Sequence, residues 1–253
     1  MRVDNQDSIA ILRLDESPGN LWNEEILTEF NSQIMALARD SANRCLIITG
    51  KRNDDSPAER NENDAPESCF SLGLDPLALE TEDPLTGANL SRLFAQAYGN
   101  LRRFPGVTIA AINGDAHNEG LSLALNCDFR LTSSLAVFRF SAGSQGLLPF
   151  GGSTQLLPRL VGEPWAKRMI LMETPVSAEQ ALGIGLVDEL TEPAEIINTA
   201  MVWAQALCRQ TPMASRAGKQ LIEHARMRPL ETGFAAEREW QVQIMEGEDY
   251  RNV

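Results

Sequence analysis

The residues best placed for chemistry lie between Val107 and Asn126, in the run VTIAAINGDAHNEGLSLALN. Val107 to Ile112 is a continuous apolar, β-rich stretch, expected as a strand buried on both faces. Asn113-Gly114 is a turn signal. Gly120 stands just before LSLAL, small and apolar residues expected as a helix ending near Asn126. A strand leading through a polar loop into a helix whose N-terminus faces the strand's end brings free backbone N–H groups and the helix dipole to one point. Such a point holds negative charge, so the stretch suits chemistry that passes through an anion. Among the ionisable side chains nearby, His117 has the intrinsic pKa best matched to acid–base work near neutrality.

Other chemistries fit poorly. The chain has 253 residues and a net charge of −13, which argues against nucleic acid, since phosphates call for a basic face. Its 43% apolar and 6% aromatic content is ordinary for a globular protein, and the length suits one large α/β domain with a small appendage. No apolar run approaches the length of a membrane span. The acidic N-terminus MRVDNQDSIAILRLDES lacks the apolar core of a secretory signal, so a cytoplasmic protein is expected. Cys45, Cys69, Cys127 and Cys208 show no C-x-x-C spacing and are expected to be reduced and structural. With only His117 and His224 to join them, no metal site is expected.

The elements that must position the central stretch are readable in order. Ile9 to Leu14 is expected as a first strand, and Pro18-Gly19 as a turn. Asn23 is a suitable N-cap for an amphipathic helix from Glu24 to about Arg39. Cys45 to Thr49 is a buried strand ending at Gly50, giving the β-α-β start of a mostly parallel sheet. The charged, Pro-containing segment 51–68 reads as a mobile surface insertion, with a lid as the less favoured reading. Asp75 caps the next helical stretch, and Leu85 to Arg103 is a longer amphipathic helix. After the central stretch come a strand from Cys127 to Leu131, a Gly/Pro-rich loop from Gly146 to Thr154 before another helix, and a helix from Glu163 to Glu173. A helix opened by Ser177 ends near Gly183, and a short strand covers Leu186 to Leu190. From about Pro193 the chain is helical with breaks near Pro212 and Pro229; Trp203 and Trp240 are expected to pack helix on helix. The division is a core over 1–192 and a helical region over 193–253.

Four segments resemble the crotonase (enoyl-CoA hydratase/isomerase) superfamily: IAAINGDAHNEGLSLALNCDFRL, GLLPFGGSTQLLPRLVG, LIITG followed later by CFSLGLDPL, and VSAEQALGIGLVDEL. The likeness runs from about Ile9 to the last helix. It implies an α/β fold, a ClpP/crotonase-like spiral of β-β-α units with a C-terminal helical region. It also implies an acyl-CoA substrate, with coenzyme A as part of that substrate and no separate cofactor. Assembly as a homotrimer or a dimer of trimers through the C-terminal helices follows from the same resemblance; no membrane or nucleic-acid partner does.

By residue-by-residue match, the two backbone N–H donors of an oxyanion hole fall on Leu74 and Glu119, flanked by Leu72, Gly73, Asp75 and Gly120. Such donors stabilise the enolate of a thioester as it forms. Position 119 is more often glycine in the family. The Glu119 side chain is open to three readings: a base, a charge opposing the anion, or a group facing solvent. The two glutamates that activate and deliver water in the hydratases fall on Ser122 and Ala142, neither of which can replace a carboxylate. Ordinary hydration of an enoyl-CoA is therefore not expected, and the single-glutamate isomerases are disfavoured by Ala142. His117, Asp115, Asp75, Ser144, Gln145 and Ser122 should border the pocket with Pro149 and Gly151. His117 is a candidate acid–base group and Ser122 or Ser144 a polar orienting group for a lyase, isomerase or decarboxylase step. The loop DESPGN carries Asp15 and Glu16 where the family usually has a basic residue, and the chain stops at EDYRNV, short of the family's basic tail. Either coenzyme A is held otherwise, by Arg92, Arg102, Arg103 or Lys219 of some subunit, or the nucleotide pocket has decayed. A ClpP-like serine peptidase is set aside, because no histidine follows Ser122 until His224. The rival reading is a crotonase-fold scaffold or regulatory subunit that has lost its site.

Overall fold

The computed structural model describes residues 1–16, 18–50, 69–80, 83, 85–225, 227–247 and 250. The expected insertion 51–68 lies outside the described residues.

The chain opens with an antiparallel pair, β1 (Arg2–Gln6) and β2 (Ile9–Leu14), then β3 (Leu21–Trp22) and α1 (Glu24–Arg39). Asn23 caps α1 as its sequence position predicts, its side chain accepting from the Ile26 N–H at 2.9 Å. Next come β4 (Cys45–Gly50), β5 (Cys69–Ser71), β6 (Gly73–Leu74), a short 3₁₀ turn at Pro76–Leu79 and α2 (Thr86–Arg102). The central stretch forms β7 (Val107–Ile112), β8 (Asp115–His117) and α3 (Asn118–Leu125). It is followed by β9 (Phe129–Ser133), β10 (Val137–Arg139) and α4 (Ser153–Leu171), which kinks at Gly162. The remainder is β11 (Val176–Ser177), α5 (Ala178–Gly183), β12 (Glu189–Thr191), α6 (Ile196–Leu207), α7 (Pro212–Ala225) and α8 (Leu230–Glu246).

A main sheet runs in the order β1-β2-β4-β7-β9-β12, parallel except at its β1 edge. A second sheet runs β11-β10-β8-β5, and β3 pairs with β6. Successive turns of the chain therefore repeat one plan: a strand in the main sheet, a strand in a smaller sheet, then a helix. This is the expected spiral of β-β-α units.

Side-chain alternation explains why the main sheet is covered twice. Ala10, Leu12, Leu46, Ile48, Ala110 and Ile112 face one way, into a core shared with α1, α2 and α3. Ile9, Ile11, Ile47, Ile109 and Leu131 face the other way, against Ile196, Ala200 and Ala204 of α6. Each fully buried aliphatic side chain of this kind is worth roughly 1.5–3 kcal/mol relative to exposure.

Three expectations need correction. The strand placed at Cys127–Leu131 begins two residues later, because the Asn126 and Cys127 N–H groups bond back to Leu123 and Ala124 O and prolong the end of α3. The strand placed at Leu186–Leu190 begins at Glu189, since the Leu186 N–H returns to Ala181 O at the end of α5. Trp203 packs on the sheet rather than on a helix, edge to face with Phe129 at 5.3 Å, because α6 lies directly on the main sheet.

The last two helices are attached differently. α7 is pinned to the end of β7 by Lys219, whose Nζ lies 2.7 Å from Asp128 Oδ2 and 3.1 Å from both Phe104 O and Gly106 O. α8 packs on α7 and buries none of its described residues, leaving Leu230, Phe234, Val242 and Met245 half or more exposed. Among the described residues no helix is long and apolar enough to cross a membrane.

Candidate active site

One arm of the site is the turn from β5 into β6. Its conformation is set by Ser71, whose hydroxyl donates to Asn20 O at 2.8 Å and accepts from Trp22 Nε1 at 2.9 Å and the Gly73 N–H at 3.3 Å. The Leu72 N–H donates to Gly19 O at 2.9 Å, and the Asp75 N–H to Trp22 O at 2.8 Å. Gly73 has φ +102°, and a Cβ there would stand 2.9 Å from both Asn118 Cβ and Glu119 Oε2, so the turn needs glycine for conformation and for space. Asp75 Oδ1 then accepts from the Leu77 N–H at 3.0 Å and starts the 3₁₀ turn. The result is a Leu74 N–H aimed at the start of α3.

The other arm is α3 itself. Asn118, its first residue, has φ +44°, a left-handed conformation that asparagine tolerates better than most residues. Its side chain is clamped to Ser141, Oδ1 accepting from the Ser141 N–H at 2.8 Å and Nδ2 donating to Ser141 Oγ at 3.1 Å. Gly120 allows α3 to lie against β5, where a Cβ would sit 2.2 Å from Ser71 O. Tyr98 of α2, buried among Trp22, Phe30 and Phe94, donates its hydroxyl to Glu119 O at 2.9 Å.

Between the arms sits the Glu119 carboxylate. Glu119 is 3% exposed, which excludes the solvent-facing reading of its side chain. Oε2 accepts from the Leu74 N–H at 2.8 Å, and Oε1 from the Phe150 N–H at 3.2 Å. The Leu74 N–H, predicted to form one half of the hole, is thus turned toward the side chain of Glu119, the residue predicted to supply the other half. Burial pushes the Glu119 carboxyl above the usual carboxylate range, while the Phe150, Leu74 and Glu119 N–H groups pull the other way. Phe150 is held in place by stacking on Phe94, ring centres 5.4 Å apart.

The remaining candidates take other parts. Ser122 is fully buried; its hydroxyl donates to Asn118 O at 3.0 Å and shares a hydrogen bond with Ser153 Oγ. Ala142 is buried and presents only a methyl group. Ser144 donates its hydroxyl to Ser141 O and its N–H to Glu173 Oε1 at 2.7 Å, and Gln145 is exposed. Pro149 is buried beside Phe150, and Gly151 passes its carbonyl to Asn126 Nδ2 at 2.9 Å. His117 lies on β8 with Nε2 3.8 Å from Asp115 Oδ2, and that nitrogen is buried with no hydrogen-bond partner among the described residues. Burial lowers its pKa, against the pull of Asp115 and with the push of Arg139. Of the cations considered for coenzyme A, Lys219 is engaged by Asp128 and Arg102 by Glu223, while Arg92 is exposed.

The sequence gives no hint of Phe150 and Tyr98 as parts of this site, because one acts through its main chain and the other sits on an apolar helix face. The Asn118–Ser141 clamp shows only as an asparagine in a loop.

The model for the family described as "Enoyl-CoA hydratase/isomerase" matches residues 4–252. The chain belongs to this family. Among its relatives, the short-chain-enoyl-CoA hydratase of Clostridium acetobutylicum is 29% identical over 99% of this chain and 91% of that protein. The 1,2-epoxyphenylacetyl-CoA isomerase of Escherichia coli is 29% identical over 92% of this chain and 84% of its own length. The solved structure of Pseudomonas aeruginosa DspI is 37% identical, with a TM-score of 0.89 over 99% of this chain and 90% of that one. These relatives are named as a hydratase and as an isomerase.

Proposed function

We propose that this family member binds an acyl-CoA thioester and stabilises its enolate through the backbone N–H groups of Leu74 and Glu119. The observation that carries the reading is the carboxylate oxygen 2.8 Å from the Leu74 N–H, which stands where the thioester oxyanion would sit and has its charge and donor distance. Ser122 and Ala142 occupy the positions that the family match gives to the water-activating glutamates, so the chemistry is not ordinary hydration. A lyase, isomerase or decarboxylase step, which needs the enolate but not the glutamate pair, fits the residues better. Ser144, His117 and Ser122 are more weakly supported as participants, since two of them are engaged in local hydrogen bonds. Assembly into trimers or hexamers is supported by the apolar side chains of α8 that stay half or more exposed among the described residues.

One observation favours the rival reading of a non-catalytic scaffold or regulatory subunit: the Leu74 N–H is already satisfied from within the chain. Titration with acetoacetyl-CoA separates the two. Its enolate absorbs in the ultraviolet where the keto form does not, so saturable growth of that band reports binding and a working hole together. Absence of binding at high ligand concentration removes the acyl-CoA reading and leaves the scaffold.

A further inference from the structure

The Glu119 carboxylate divides its two oxygens between the two sides of the site: Oε2 on the Leu74 N–H at 2.8 Å and Oε1 on the Phe150 N–H at 3.2 Å. A thioester oxygen entering the hole needs the first of these donors and not the second. The carboxylate can therefore release Leu74, remain tied to Phe150, and stay beside the bound thioester. The α-carbon is two bonds from the thioester oxygen, so a carboxylate beside that oxygen stands next to the α-carbon as well.

We propose that Glu119 is the general base that removes the α-proton of the bound acyl thioester, so that one negative charge passes from the side chain to the enolate held by the same residue's main chain. The Cα–H bond breaks and its proton goes to a Glu119 carboxylate oxygen. The freed electron pair becomes the Cα=C1 bond of the enolate, and the carbonyl π pair becomes the oxyanion on the Leu74 and Glu119 N–H groups. The site holds one negative charge before and one after. A second buried anion never forms beside the first, which answers the electrostatic objection to a carboxylate at an oxyanion hole. The environment agrees with this role. No lysine, arginine or histidine acts on Glu119 among the described residues, and burial makes its carboxylate a stronger base than an exposed one. Of the other candidates, Ser122 and Tyr98 are spent on main-chain carbonyls, Ala142 is inert, and His117 lies on β8 beside Asp115.

The inference rests on the acyl-thioester reading, and the test is built so that the two fail separately. Butyryl-CoA is incubated with the protein in deuterated water and loss of its α-protons is followed by NMR, with acetoacetyl-CoA titration run on the same samples. Wild type should catalyse exchange. Glu119→Gln, and Glu119→Gly should the first not fold, should lower the exchange rate by about 10²-fold or more while binding acetoacetyl-CoA as well as wild type or better. Added formate should restore part of the exchange in Glu119→Gly. Acetoacetyl-CoA binding without butyryl-CoA exchange in wild type, or equal exchange in wild type and Glu119→Gln, overturns the base and leaves the hole intact. No acetoacetyl-CoA binding in any of them overturns both.

Discussion

Burying a carboxylate at 3% exposure, with no cation beside it among the described residues, costs stability whenever the group is ionised, and backbone N–H groups offset only part of that cost. Glu119 keeps its proton to higher pH in the folded chain than in the unfolded one, where a glutamate titrates near ~4.3. Its contribution to stability therefore falls as pH rises from about that value through the raised folded-state pKa, and is level above it. Glu119→Gln removes the dependence. Its stability relative to wild type should rise with pH across this window and then plateau, as read from urea unfolding midpoints at a series of pH values. A relative stability that declines with pH would show the carboxylate to be net stabilised by its N–H donors. Sequence alone places Glu119 in the loop that opens a helix and offers three readings of its side chain. What decides among them is the position of Leu74 and Phe150, which are 45 and 31 residues distant.

At the scale of elements, strand and helix identities were legible because β2, β4 and β7 are buried on both faces and read as short continuous apolar runs, while α1 and α2 show helical spacing. Boundaries were less so. Cys127 and Leu186 are apolar and buried, as strand residues are, but they are buried at helix ends, where their N–H groups bond backward along the chain. The most informative junction is the one between β8 and α3, where a non-glycine residue takes φ +44°. Such a residue stores about 1–3 kcal/mol of strain unless something compensates, and here the compensation is the pair of Ser141 hydrogen bonds. Asn118→Ala loses the clamp and keeps the strain, and should cost roughly 1–3 kcal/mol in thermal or chemical unfolding. Asn118→Gly loses the clamp but not the conformation, and should cost less. Equal losses in the two variants would mean that the clamp, not the φ angle, carries the effect.

For the molecule as a whole, the family resemblance implies assembly through the C-terminal helices, and α8 carries apolar groups on which to test it. Leu230, Phe234, Val242 and Met245 recur at helical spacing on one side and are 50–67% exposed. Light scattering on the intact protein should give a multiple of the 27.8 kDa chain mass, three or six, and Phe234→Glu should shift it toward the single chain. A wild-type protein that is monomeric at all concentrations would exclude the assembly.

The order in which the main sheet is covered also bears on how the chain can be made. β2, β4, β7 and β9 add to the sheet in the order of synthesis, and α1, α2 and α3 cover one face as they emerge. The opposite face, with Ile9, Ile11, Ile47, Ile109 and Leu131, waits for α6, which begins at Ile196. At ~5–20 residues per second, that face stays bare for roughly ten seconds or more after its first strands are translated. A nascent chain in that interval presents a nearly complete sheet with one apolar side open. Demand for a chaperone should therefore peak late in translation and end abruptly once α6 clears the ribosome.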